Sequence, residues 1–213
     1  MKTIHFYLDF ISPYAWLAFD ALPQALEGIS HRVVFKPVVF GAMLKHHGQL
    51  GPAEIPSKRD WTYRQVQWQA RAQGTPLQLP ASHPFNSLAL LRLATACDAD
   101  GTPNRFVCDK IFRHVWCTGQ DAADAERLAA LNADLKPTGD VASDAVKQQL
   151  KAHTDEAIAL SLFGVPSLVV DGQVFWGNDA LPMLRAYLQG DPWFQSSEWT
   201  GVAQLPVGVQ RKA

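Results

Sequence analysis

The sequence predicts an α/β fold interrupted by a long all-helical segment. Three observations predict it. Residues 3–39 carry strand, helix and strand patterns in turn, residues 167–188 read as strand, strand and helix, and most of the chain between them repeats with helical spacing. The chain has 213 residues, 47% of them hydrophobic and 18% charged, which suits a globular protein with a proper core.

Each element has a local reason. Thr3 to Leu8 alternate as in a strand. Ser12 then occupies an N-cap position and Pro13 the first helical position, so a helix is predicted from there to about Gly28. His31 to Val39 form a second strand, with Pro37 marking an irregularity or an edge. A strand–helix–strand unit makes these two strands parallel. Helices are predicted from Ser57 to near Gly74, and over Ser87–Ala99, Pro103–Thr118, Ala122–Leu135 and Ala142–His153. Thr154 is expected to cap one more short helix ending at Phe163–Gly164. Residues 167–176 fold back around Asp171–Gly172, a two-residue hairpin signal. Asn178 or Asp179 is expected to cap a last helix, 180–188, that stops at Gly190, and residues 191–213 form a tail. Trp61 and Trp68 are expected to pack the helical segment onto the core.

Charge and composition exclude several classes. Nineteen basic and twenty acidic residues leave no electrostatic footprint for nucleic acid. No apolar run is long enough to span a membrane, and the first ten residues read as a strand rather than a signal peptide, so a cytoplasmic protein is expected. Cys97, Cys108 and Cys117 match no zinc spacing and read as apolar packing in a reducing compartment. His46 and His47 are adjacent and point apart, with no acid or cysteine to complete a set, so no metal is expected.

The β-α-β and β-β-α units separated by helices have the layout of a thioredoxin-like fold. The thioredoxin-like part comprises 1–43 and 154–190, and 44–153 is the inserted all-helical domain. In such a fold the proline of Gly164-Val165-Pro166-Ser167 is expected to be cis and to offer neighbouring backbone groups to a peptide-like ligand. The loop after the first strand, which carries Cys-x-x-Cys in thioredoxins, reads Ser12-Pro13-Tyr14-Ala15 here. Without sulfur at either end, thiol–disulfide exchange at this turn is excluded. What remains is a hydroxyl, free N–H groups and the positive end of a helix dipole, which favour an anion such as a bound thiolate.

Five blocks, FYLDFISPYAWLA, KPVVFGAMLK, EIPSKRDW, LPASHPFNSLALLR and LFGVPSLVVDGQVFWGND, occur in an order that resembles the 2-hydroxychromene-2-carboxylate isomerases and the kappa-class glutathione transferases, relatives of DsbA. The resemblance covers about residues 3–188. It implies glutathione as cofactor, with Ser12 on its sulfur, Lys58 on its glycyl carboxylate, the Val165 backbone before Pro166 on its cysteinyl part, and Asn178 and Asp179 on its γ-glutamyl end. Gln49 stands where that family often has asparagine. His83 and Asn86 fall in the segment that lines the second-substrate pocket. The implied activity is cis-trans isomerisation of 2-hydroxychromene-2-carboxylate to trans-o-hydroxybenzylidenepyruvate, an aromatic (naphthalene) catabolite, in a homodimer. The alternatives are a kappa-like transferase or peroxidase, and a glutathione-binding protein without chemistry.

Overall fold

β1 (Lys2–Leu8) sorts its side chains by the period of a strand. Ile4, Phe6 and Leu8 enter the main core, and Tyr7 enters a smaller apolar cluster on the other face. In the computed structural model, which describes residues 1–209, four strands form one sheet in the order β2-β1-β3-β4. β2 (His31–Pro37) runs parallel to β1, with Phe6 opposite Phe35 and Leu8 opposite Pro37. Pro37 thus ends an edge strand, where its missing N–H costs no ladder bond. β3 (Ser167–Val170) is antiparallel to β1, and β4 (Gln173–Trp176) is antiparallel to β3. Asp171 and Gly172 join them with φ of 50° and 77°, the two left-handed residues of a tight hairpin.

α1 (Pro13–Ala25) links β1 to β2 and packs on the main-core face. α2 (Phe40–His46), α3 (Pro56–Gln73), α4 (Leu88–Ala96), α5 (Arg105–Trp116), α6 (Ala125–Leu135) and α7 (Asp144–Ala159) follow, and α8 (Leu181–Leu188) closes the thioredoxin-like part. The insertion and the sheet share one core. Phe112 of α5 lies 4.8 Å from Phe10, 5.7 Å from Trp16 and 5.1 Å from Phe19, ring centre to ring centre. The indole N–H of Trp116 donates to the Phe10 carbonyl at 2.9 Å, and that of Trp16 to the Pro76 carbonyl at 2.9 Å.

Three local expectations are corrected. Thr154 does not start a helix, because α7 runs through it unbroken. Its hydroxyl donates to the Leu150 carbonyl (2.9 Å) and accepts the Val39 amide (3.0 Å), so packing against the chain before α2 overrides its capping preference. The expected boundaries at 43/44 and 153/154 fall inside α2 and α7. Neither Asn178 nor Asp179 caps α8 through its side chain. They form a 3₁₀ turn, 178–180, that leads directly into the helix. Trp61 and Trp68 are 67% and 68% exposed. The stripe Thr62–Val66–Ala70 carries the buried face of α3, and the tryptophans, seven residues apart, share a solvent face.

The tail packs through Phe194, which is buried against Phe175 and Tyr187. A short helix α9 (Ser197–Gly201) follows, and residues 210–213 of the expected tail lie outside the described residues. No helix among the described residues is long and apolar enough to cross a membrane.

Candidate active site

Three chain reversals meet at one end of the sheet: the turn after β1, the Val165–Pro166 peptide before β3, and Gly177–Asp179 after β4. They contribute to the wall of one cavity of about 900 Å³. Ser12 caps α1 as its sequence predicts, accepting the Ala15 amide on Oγ at 3.2 Å. Its hydroxyl donates to the Val165 carbonyl at 3.1 Å, across 153 positions of sequence. The Val165–Pro166 bond is cis, and the Pro166 carbonyl accepts the Gly177 amide at 2.9 Å. The capping serine, the proline loop and the loop after β4 are thereby one hydrogen-bonded unit.

Asn178 is buried, and its Nδ2 donates to Gln69 Oε1 at 3.4 Å. Its Oδ1 is buried with no hydrogen-bond partner among the described residues, an acceptor at the cavity wall that calls for a donor. Asp179 is exposed beside it and adds a negative charge. Gly177 takes φ 97°, and a Cβ there would meet the Asp179 carboxylate, so glycine lets the carboxylate fold back over the loop.

Gln49 is exposed and lines the cavity, as does Asn86, whose Oδ1 accepts the Leu88 amide at 3.0 Å. His83 lines it too, but both ring nitrogens are committed. Nε2 faces the Ile11 carbonyl at 2.8 Å and Nδ1 faces the Tyr63 hydroxyl at 2.8 Å. Burial pushes the His83 pKa down, which keeps the ring neutral. Lys58 is not brought to the wall. It sits exposed on the first turn of α3, one turn before Thr62, which does line the cavity.

The remaining wall is largely apolar. Phe163 and Trp176 face each other at 4.8 Å and are 40% and 52% exposed, with Phe40, Leu44, Leu50 and Phe85 around the same space. A Cβ on Gly164 would come within 2.5 Å of the Trp176 indole nitrogen, so glycine there lets the ring lie against the chain. Asp9, fully buried at the end of β1, also reaches the wall, and burial raises its carboxyl pKa to about 6. Burial, and then the Asp179 charge, push Tyr14 upward.

The sequence matches the DSBA-like thioredoxin domain over residues 3–189. The chain belongs to that family. Among curated relatives, 2-hydroxychromene-2-carboxylate isomerase of Sphingobium xenophagum is 29% identical, covering 88% of this chain and 98% of the relative. Glutathione S-transferase kappa 1 of Rattus norvegicus is 22% identical over 90% of this chain and 92% of its own. The solved structure of a 2-hydroxychromene-2-carboxylate isomerase superposes with a TM-score of 0.75 at 23% identity, covering 92% of this chain and 98% of the other, which places this DSBA-like chain in the same fold.

Sequence reasoning missed Asp9, Tyr63, Gln69, Phe163 and Trp176. Phe163 and Trp176 carried a usable signal, since each stands directly beside a quoted glycine motif, Gly164-Val165-Pro166 and Gly177-Asn178-Asp179. Tyr63 and Gln69 carried none, because their partners lie on other segments.

Proposed function

We propose that this protein is a glutathione-dependent isomerase of an aromatic catabolite, converting 2-hydroxychromene-2-carboxylate to trans-o-hydroxybenzylidenepyruvate. The observation that carries the proposal is Ser12: a hydroxyl caps the helix where thiol oxidoreductases of this layout place sulfur, bonded to the backbone before a cis proline. The residues fit glutathione. The orphan Asn178 Oδ1 and the Asp179 carboxylate suit an ammonium, the Val165–Pro166 edge suits a peptide, and Gln49 offers an amide. Lys58 reaches a carboxylate by laying its flexible stem over the rim.

Bound there, glutathione supplies a thiolate able to add reversibly to a conjugated alkene, so that a cis double bond becomes trans and the thiol is regenerated. The protein supplies position and electrostatics. The Ser12 O–H turns from the Val165 carbonyl toward a sulfur while Oγ keeps the Ala15 amide, so the cap persists as the donor is redirected. The N-terminus of α1 adds its dipole to hold negative charge. Phe163, Trp176, Phe40 and Phe85 offer an aromatic ring an apolar wall and exclude water. The Sphingobium relative's name supports an isomerase of this substrate, and the rat relative's name supports glutathione as the thiol. A cytoplasmic homodimer completes the proposal, and sedimentation of the purified protein tests the dimer.

The deciding experiment follows 2-hydroxychromene-2-carboxylate optically while glutathione is added in steps. Saturable formation of the trans product with total glutathione unchanged is expected. Consumption of glutathione with conjugate formation would instead identify the kappa-like transferase, a second reading supported by the apolar wall. Binding without turnover of either kind would leave a glutathione-binding protein.

A further inference from the structure

Ile11 stands immediately before Ser12, and both polar groups of its backbone are held by side chains. Its amide donates to Asp9 Oδ1 at 3.1 Å, and its carbonyl accepts from His83 Nε2 at 2.8 Å. Pro13 on the other side of Ser12 has a fixed φ, so little freedom is left in the turn. The Ser12 amide itself donates to the Asp9 carbonyl at 3.0 Å.

Each holder is held in turn. Asp9 Oδ2 accepts the Phe40 amide at 3.0 Å at the start of α2, and the buried Ser87, just before α4, lies beside the same carboxyl. The groups facing this carboxyl are all neutral: the Ser87 hydroxyl and the amides of Phe10, Ile11 and Phe40. At His83, Nε2 faces a carbonyl and must carry the proton, which leaves Nδ1 as an acceptor for the Tyr63 hydroxyl. That hydroxyl also lies 3.1 Å from the His83 carbonyl, which takes a hydrogen bond from Arg59 Nη2 at 2.7 Å. Tyr63 and Arg59 both belong to α3 of the insertion.

We propose that Asp9 and His83 are positioning residues that clamp the Ile11 peptide groups from two sides and so aim the Ser12 hydroxyl, placing the geometry of the thioredoxin-like turn under the control of the helical insertion through Tyr63. The consequence for catalysis rests on the reading of Ser12 as the thiolate's hydrogen-bond donor; the clamp itself does not. A donor misplaced by a fraction of an ångström loses rate while ligand contacts elsewhere persist, so the clamp governs kcat rather than glutathione affinity.

The test has two readouts on the full-length protein. Amide hydrogen exchange at Ile11 and Ser12 is measured by NMR without ligand, in wild type, Tyr63→Phe, His83→Ala and His83→Gln. Exchange about tenfold faster at these two amides in Tyr63→Phe, and faster still in His83→Ala, is expected, with Phe6 unaffected. His83→Gln, whose amide can donate to the same carbonyl, restores most of the protection. In turnover, Tyr63→Phe lowers kcat about fivefold at unchanged glutathione Kd. Wild-type exchange in both Tyr63→Phe and His83→Ala overturns the clamp, whatever glutathione does. Faster exchange in a protein whose wild type binds no thiolate upholds the clamp and removes the role assigned to Ser12.

Discussion

The Ser12 hydroxyl donates to the Val165 carbonyl and accepts from the Ala15 amide, so Ser12→Ala removes a cap and a donor together. The cap is worth about 1 kcal/mol, which for a chain of this size lowers Tm by roughly 3 °C. The donor is worth more to the reaction. We expect kcat/KM to fall about 100-fold, the scale of losing one preorganised donor to a developing anion, while calorimetry shows nearly unchanged glutathione binding. A Tm loss with full activity would make the serine a cap alone. Gly164→Ala separates site from stability in the opposite way. The new methyl would press on the Trp176 indole, which is half-exposed and free to swing away. The expected result is a Tm within about 2 °C of wild type and a several-fold higher KM for an aromatic substrate, read from steady-state kinetics.

Between elements, one carboxylate ties the sheet to α7. Glu156 accepts two hydrogen bonds from Lys36 Nζ of β2, at 2.8 and 2.6 Å, and one from the Tyr7 hydroxyl of β1 at 3.0 Å. Burial opposes its charge, but the Lys36 and Tyr7 bonds outweigh burial and lower its pKa. The stabilisation is therefore present above the ordinary glutamate value and is lost as pH falls through the lowered one. Glu156 is 42% exposed, so solvent screening keeps the effect near 1 kcal/mol. Glu156→Gln should lower Tm by about 3 °C at pH 7, a difference that shrinks as pH falls below the ordinary glutamate range. A difference that persisted in acid would assign the effect to packing. Asp9 has the opposite sign. Its carboxyl is raised to about 6, so the folded state holds the proton longer than the unfolded chain, and its contribution weakens as pH rises from about 4 to 6.

Across the whole molecule, the insertion and the thioredoxin-like unit meet in one aromatic core. Phe112 lies against Phe10, Trp16 and Phe19, and α7 crosses from one part to the other without a break. Two units that share a core cannot melt separately without exposing it. Calorimetry should record a single transition with calorimetric and van't Hoff enthalpies in agreement, whereas two resolved transitions would show that the insertion is cored by itself.

Local chemistry made much of this protein legible in its sequence. The period of two in β1, the Ser12-Pro13 start of α1 and the Asp171-Gly172 hairpin each depend on neighbours in the chain, and each stands where expected. The order of the five motif blocks likewise brought Ser12, Gln49, Val165, Asn178 and Asp179 to one cavity. What failed turned on a partner distant in sequence or on which side of a helix the core takes. Thr154 reads as a cap until the Val39 amide occupies its hydroxyl, and Trp61 and Trp68 read as core until Thr62, Val66 and Ala70 take the buried side of α3. Lys58 fits the motif and stands exposed on the first turn of α3, one turn from Thr62 of the wall. His83 was found by its block, but the two bonds that fix its ring come from Ile11 and Tyr63, 72 and 20 positions away. Strand, cap and turn are decided by short-range sterics and hydrogen bonds that a sequence displays. The Ile11 amide bonds Asp9 only two residues away, but the His83 bond to the Ile11 carbonyl and the Phe40 bond to the Asp9 carboxyl exist only after folding has closed long loops, so only the tertiary structure decided how the serine is aimed.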